Sequence, residues 1–261
     1  MASKIKITII TPTFNSVNNI TNLLQSLSSQ KYSNFEHIII DGGSVDGTLD
    51  IIKKWKSHKI SLYSSRDKGV YDAMNKGLSF ATGDFVGFLN SDDVFSSKNS
   101  LSIIARFLKK TQADISYGDL YYVDAKDSSI IVRRWKAGHY KFEKLRSGWL
   151  APHPTFYVRN SLINKHGRFN LTYSLASDVD FIIRYLTIRD IRYVYIPYVL
   201  VYMKNGGISN KNFANRVIQN IETFKIFRAN KIKVNFLFYL IKKIISRLRQ
   251  FYKNESNFEI S

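Results

Sequence analysis

Four times in its first 120 residues the chain repeats one pattern: an apolar, β-branched run, a turn, then apolar residues at helical spacing. The pattern specifies βαβ units, whose strands lie parallel because each helix carries the chain back along the sheet. Strands are expected at residues 5–10, 35–40, 60–63 and 85–89, and helices near 18–30, 48–55, 71–81 and 98–110. Thr48, followed by Asp50 in the first turn, reads as one helix cap, and Ser96 or Ser97 as another. Parallel strands end on one edge, and ligands of open α/β sheets bind in the crevice there. Three strands run into polar clusters at that edge: Thr11-Pro12-Thr13-Phe14-Asn15, Asp41-Gly42-Gly43-Ser44 and Asn90-Ser91-Asp92-Asp93. These clusters are expected to converge in space.

Beyond residue 115 the pattern changes. Antiparallel strands are expected at 116–123 and 130–135, then a loop bearing Trp149 and His153, a helix opening at Ser177-Asp178 and a strand at 192–202. A turn at Gly206-Gly207 and one or two basic helices over 212–252 follow.

Composition narrows the chemistry. Without cysteine there is no disulfide framework, thiolate metal site or cysteine nucleophile, so any metal must sit on oxygen or imidazole. The 39 Lys and Arg against 20 Asp and Glu give 39 − 20 = +19, an excess that points to an anionic partner: nucleic acid, phospholipid head groups or a phosphorylated substrate. Residues 204–261 hold 12 basic and 3 acidic residues, +9 in 58, so the end of the chain is its most basic part. The first apolar run alternates with polar residues and reads as a strand rather than a signal peptide. No window offers the ~18 uninterrupted apolar residues of a membrane span.

Asp92 and Asp93 are hard oxygen donors suited to Mg²⁺ or Mn²⁺ together with phosphate oxygens; the same pair also fits plain capping of the helix that follows. Asp41 with Gly42-Gly43 allows a base or ribose to approach the backbone closely, or is simply a turn. Neither a G-x-G-x-x-G nor a G-x-x-x-x-G-K-[ST] string occurs, which leaves dinucleotide dehydrogenases and P-loop enzymes without support. His153, before Pro154, is placed to touch a metal, a diphosphate or an acceptor, or to be a satisfied loop histidine. Trp149 suits stacking on a sugar face or packing. Arg66 and Lys68 suit phosphate or solvent.

The strings ITIITPTFNS, IIIDGGSVDGT, SSRDKGVYDAMNKGLSFATGDFVGFLNSDD, HPTFYV, ASDVDFIIR and GGIS, in this order over about residues 5–210, resemble glycosyltransferase family 2. These are inverting nucleotide-sugar transferases with a GT-A fold, a Rossmann-like, mostly parallel sheet flanked by helices. The likeness is to the branch that builds bacterial surface polysaccharides such as O-antigen, capsule and colanic acid. It implies that Thr11, Pro12, Phe14 and Asn15 line the nucleotide pocket, that Asp41 hydrogen-bonds the base, and that Asp67 and Asp92 face the nucleotide sugar. It further implies that Asp92 and Asp93 form the metal-binding motif for Mn²⁺ or Mg²⁺, and that Asp178 is the general base. Two departures stand out: Asn90 replaces the first acid of the family's metal motif, and Ser177 the Glu that often precedes the base. Which of Asp92 and Asp93 binds the metal stays open.

The chain is thus expected to comprise a catalytic domain over 1–210, with a nucleotide-sugar half at 1–120 and an acceptor half at 121–210, and a basic helical segment at 211–261. In that segment Leu237, Leu240, Ile241, Ile244, Ile245 and Leu248 recur at helical spacing with Lys242, Lys243, Arg247 and Arg249 between them. Such an amphipathic basic helix suits an anionic membrane surface, or packs on the catalytic domain. The expected activity is hexosyl or N-acetylhexosaminyl transfer from a UDP-sugar to a glycan on a polyprenyl diphosphate, at the cytoplasmic face of the plasma membrane. Two rivals are a basic nucleic-acid-binding protein and an inert glycan-binding relative. The first gives Asp41, Asp67, Asp92 and Asp93 no task, so nucleic acid is not expected as a partner.

Overall fold

A computed structural model describes residues 4–206 and 213–251. Gly207, residues 208–212 and Tyr252 onward lie outside the described residues, and with them part of the expected turn and both extremes of the basic segment.

The nucleotide half is built as its periodicity requires. β1 (Ile7–Thr13), α1 (Ile20–Ser28), β2 (Phe35–Asp41), α2 (Thr48–Lys54), β3 (Ile60–Ser64), α3 (Val70–Leu78) and β4 (Phe85–Phe88) follow in order, with β3-β2-β1-β4 side by side and parallel. β1 is buried along its whole length, because a parallel strand covered by helices on both faces meets no water. Its side chains alternate: Ile9 joins the cluster that includes Leu23, Leu27 and Ile104, and Ile10 joins the opposite cluster with Ala73, Met74 and Phe181. Two cores thus sandwich the sheet.

The second half adds β5 (Val94–Phe95), α4 (Ser100–Thr111), β6 (Ile115–Val123), β7 (Ile131–Trp135), α5 (Phe142–Arg146), a single 3₁₀ turn (His153–Thr155), β8 (Tyr157–Arg159), α6 (Asn160–His166), α7 (Ser177–Leu186) and β9 (Tyr193–Lys204). The sheet continues β4-β8-β6-β9-β5, with β7 on β6. Six of the nine strands, β1, β2, β3, β4, β6 and β9, point one way, and β5, β7 and β8 oppose them. This is the α/β architecture expected of a GT-A fold. The very short strands β5 and β8 and the one-turn helices were beyond the reach of periodicity, which needs four residues or more to register.

Capping departs from expectation. α2 opens from Gly47, whose φ of 95° is left-handed, and the Thr48 hydroxyl accepts from the Ser16 N–H (2.8 Å) instead of capping its own helix. α4 opens from Asn99, with Ser97 Oγ taking the Asn99 N–H and Ser96 Oγ donating to the Val199 carbonyl. The Thr48 and Ser96 hydroxyls thus tie their loops to residues far along the chain, a demand that local sequence does not display.

The basic segment forms α8 (Phe213–Ala229) and α9 (Phe236–Phe251). Ile226, Phe227, Ile232 and Tyr239 enter the same core as Phe181, so this segment shares the interior of the catalytic fold. No helix among the described residues is long and apolar enough to cross a membrane.

Candidate active site

The loops after β1, β2, β3 and β4 interlock at the carboxyl edge of the sheet. The Asn15 N–H donates to Ser44 Oγ (2.8 Å) and Asn15 Oδ1 accepts the Val45 N–H (3.0 Å). The hydroxyls of Ser16 and Ser91 lie 2.8 Å apart, joining the β1 and β4 loops. Asn15 has φ 47°, a left-handed turn that Asn tolerates better than most residues and that leaves Phe14 60% exposed on the rim. Thr11 and Pro12 are buried beneath it, and Thr11 Oγ1 is bonded to His37 Nε2 (3.0 Å) rather than turned outward.

Asp41 is fully buried at the end of β2. Its carboxylate accepts the N–H groups of Gly43 and Ser44 (each 3.0 Å) and the hydroxyls of Ser64 (2.7 Å) and Ser44. A base reaching this carboxylate must displace one serine hydroxyl. Asp67 lies alongside: its Oδ1 accepts the Gly69 N–H (2.8 Å), and its Oδ2 sits 2.7 Å from where a Cβ on Gly42 would fall. Only glycine at 42 permits that approach. Arg66 and Lys68 are exposed on the same loop.

The two acids after β4 differ in environment. Asp92 is half-buried, and burial raises its carboxyl above the usual range while the Lys204 charge pulls it back. Asp93 has no exposed surface: Oδ2 accepts from Asn90 Nδ2 (3.1 Å) and Oδ1 has no partner. Burial first, and then the neighbouring Asp92 charge, raises the Asp93 carboxyl well above its usual value. Among the described residues no three His, Asp or Glu side chains gather as a metal-holding group. Asp92, the more accessible of the two carboxylates, fits a divalent ion that would complete its shell from phosphate oxygens, with Asp93 directly behind it.

Asp178 stands in the first turn of α7, where the helix dipole favours a carboxylate. Its Oδ1 accepts the Tyr71 hydroxyl (2.9 Å), and burial, then Asp178 itself, pushes the Tyr71 phenol well above its usual pKa. Tyr71 stands in the first turn of α3, four residues after Asp67, so the tether joins Asp178 to the loop that follows β3. His153 is half-buried, stacked on Phe88 (ring centroids 5.3 Å, 17°) and edge-on to Phe169, with its buried Nε2 unpartnered. Burial lowers its pKa and the Asp178 charge opposes this. Trp149 acts as an anchor: its indole N–H donates to the Ala137 carbonyl (2.6 Å), and its ring packs on Tyr117 and Tyr140.

The geometry adds two residues to which no role had been assigned. Tyr71 lies inside a string already quoted, but nothing local marks its reach to residue 178. Glu222 of α8 accepts the N–H groups of Ser174 and Leu175 and the Ser174 hydroxyl (each 2.9 Å), pinning the loop that feeds α7. An acid in a basic helix was its only signal.

The Glycosyl transferase family 2 model matches residues 8–166, which include the four interlocked loops. The chain belongs to glycosyltransferase family 2. A PGL/p-HBAD biosynthesis glycosyltransferase of Mycobacterium bovis is 32% identical over 80% of this chain and 82% of its own length. Among solved structures, S. aureus TarS 1-349 in complex with UDP-GlcNAc superposes with TM-score 0.66 and 23% identity, over 86% of this chain and 65% of that one. The chain spans 39% of a longer TarS chain. The mannosyltransferase PcManGT from Pyrobaculum calidifontis, in complex with GDP-Man and Mn²⁺, gives TM-score 0.63 and 17% identity, over 95% of this chain and 70% of its own. As a family 2 member the chain is a glycosyltransferase.

Proposed function

We propose that this transferase inverts the anomeric centre of a UDP-sugar, passing the sugar to a glycan on a polyprenyl diphosphate during assembly of a bacterial surface polysaccharide. The observation that carries the reading is the tether between Tyr71 and Asp178, which sets one acid against the loops of Asp41, Asp67 and Asp92. Inversion needs one displacement, with an acceptor hydroxyl attacking as the nucleoside diphosphate leaves from the opposite face through an oxocarbenium-like transition state. Asp178, with Oδ1 occupied by Tyr71, has Oδ2 to take the acceptor's proton. Asp41 and Asp67 read the base and ribose side of the donor, with Phe14 and Asn15 at the rim. Asp92 would hold a divalent ion, which when bound would supply positive charge against the departing diphosphate. The UDP-GlcNAc and Mn²⁺ of the structural neighbours support the donor class and the ion. A nucleic-acid partner is disfavoured, because an edge lined by carboxylates repels a phosphate backbone.

A panel of UDP- and GDP-sugars, with and without Mn²⁺, tests this by thermal shift. One UDP-sugar with Mn²⁺ is expected to raise Tm through linkage, and no response to any UDP-sugar refutes the donor assignment.

α9 supports the membrane part of the proposal. Tyr239 turns inward, while Leu237, Phe238, Ile241, Ile244, Ile245, Leu248 and Phe251 are exposed beside Lys242. An apolar stripe flanked by cations matches an anionic bilayer interface and supports a cleft that works beside lipid-linked substrates on the cytoplasmic face. Replacing Ile244 and Leu248 together by Asn removes ~3–6 kcal/mol of apolar insertion. Binding to phosphatidylglycerol vesicles is expected to fall at least a hundredfold in sedimentation, with unchanged Tm because neither side chain packs inside. Undiminished binding refutes the membrane role.

A further inference from the structure

α9 rests on the protein through an unusual face. Tyr239, Lys243, Arg247 and Gln250 recur every three or four residues and form one stripe; Tyr239 is buried and the other three are half-buried. Lys243 Nζ donates to Asn220 Oδ1 of α8 (2.7 Å), and its Cβ lies 3.6 Å from the position a Gly148 Cβ would occupy. Gln250 Oε1 accepts from Arg133 Nε of β7 (2.7 Å), and the Arg133 guanidinium stacks 4.1 Å above the Tyr122 ring. Two elements thus bring Arg133, Lys243 and Arg247 together.

No direct ion pair neutralises them among the described residues, and the Asp178 charge reaches Lys243 only from beyond contact. None of the three has a carboxylate within 4.0 Å among the described residues. Burial and the Arg247 charge together pull Lys243 down to about 8, and they lower Arg133 also. Half-buried cations that repel one another are relieved by an anion lying between them. The cluster also borders the candidate active site: Asp178 acts on Lys243, and Tyr122 lies within the influence of Asp93, Asp178 and Arg247 at once.

We propose that Arg133, Lys243 and Arg247 form a binding site for a diphosphate group on the Asp178 side of the cleft. The geometry suits a group with several charged oxygens: a planar guanidinium from β7, and an ammonium and a second guanidinium one helical turn apart on α9. α9 would then have two tasks. Its outward face lies on the bilayer and its inward face grips the anionic head of a substrate. The inference rests on the transferase reading, under which two diphosphates visit the cleft, that of the donor and that of the lipid carrier.

Calorimetric titration of the full chain with inorganic pyrophosphate, UDP and farnesyl diphosphate tests it. Wild type is expected to bind pyrophosphate. K243Q and R247Q are each expected to weaken it about tenfold or more, as loss of a charge-assisted hydrogen bond predicts, and K243R to restore most of the affinity. Tm separates this role from a structural one: without ligand, removing one of three like charges should leave Tm unchanged or raise it, whereas a structural cation lost would lower it. Loss confined to UDP assigns the site to the donor, and loss confined to farnesyl diphosphate assigns it to the lipid carrier; either supports the proposal. Unchanged affinity for all three probes in both neutral variants overturns it, even in an enzyme that transfers sugar. An absence of sugar transfer with pyrophosphate affinities that respond as expected would instead overturn the transferase reading and leave the anion site standing.

Discussion

Asp178→Asn is expected to bind its UDP-sugar as wild type does and to transfer sugar 10²–10⁴ times more slowly, the usual contribution of a positioned general base. The substitution is close to isosteric. The new amide oxygen still accepts the Tyr71 hydroxyl, so α7 and the tether stay in place. What disappears is a group able to hold the acceptor's proton. The measurement pairs a donor titration by thermal shift with the rate of UDP release in the presence of acceptor. Tyr71→Phe serves as the companion, since it frees Oδ1 without removing the carboxylate and should cost far less. Wild-type turnover in Asp178→Asn would end the assignment and shift attention to Asp180. That residue, however, is buried and its Oδ2 is bound to Arg184 Nε (2.7 Å), which ties it to structure.

Phe181→Ala is expected to destabilise the fold by ~3–5 kcal/mol and to lower Tm by about 10 °C or more. Phe181 is fully buried one turn beyond Asp178. Its ring stacks on Phe169 (4.5 Å), leans on Tyr185 (4.4 Å) and meets Phe88 edge-on (6.0 Å). This cluster is where α7 joins β4, so one cavity loosens the support of both Asp178 and His153. Phe181→Leu leaves a smaller void and should lose less than half as much. Thermal unfolding followed by circular dichroism reads both; equal Tm values for wild type and Phe181→Ala would show that the cluster does not hold α7.

The parallel half was legible because burial on both faces leaves long β-branched runs, and because Asp and Gly clusters sit at the strand ends. Asp41 and Asp92 could be named as candidates for the same reason, whereas Asp67 and Asp178 were named only through the resemblance to glycosyltransferase family 2. Their partners could not. The serines that saturate Asp41 are local turn residues, but Ser64 comes from another strand. Asp92 and Asp93 are neighbours of the same chemical type, yet one edges the cleft and the other is sealed inside, because a loop directs consecutive side chains in different directions.

α9 shows the limit most plainly. Its 3.6-residue periodicity is a one-dimensional property, and it determined that one stripe is apolar and that cations border it. Which stripe meets the protein depends on the surface that receives the helix. Here that surface offers Asn220, Arg133 and the rim around Tyr122, groups that match a polar stripe, and the apolar one is left outside. Periodicity and turn chemistry act over a few residues and so determined the βαβ order, the acid clusters at the strand ends and the amphipathic helix. Pairing across 100 or more residues depends on how the layers stack, and only the tertiary structure decided that Tyr71 holds Asp178 and that α9 turns Tyr239 and Lys243 toward the protein.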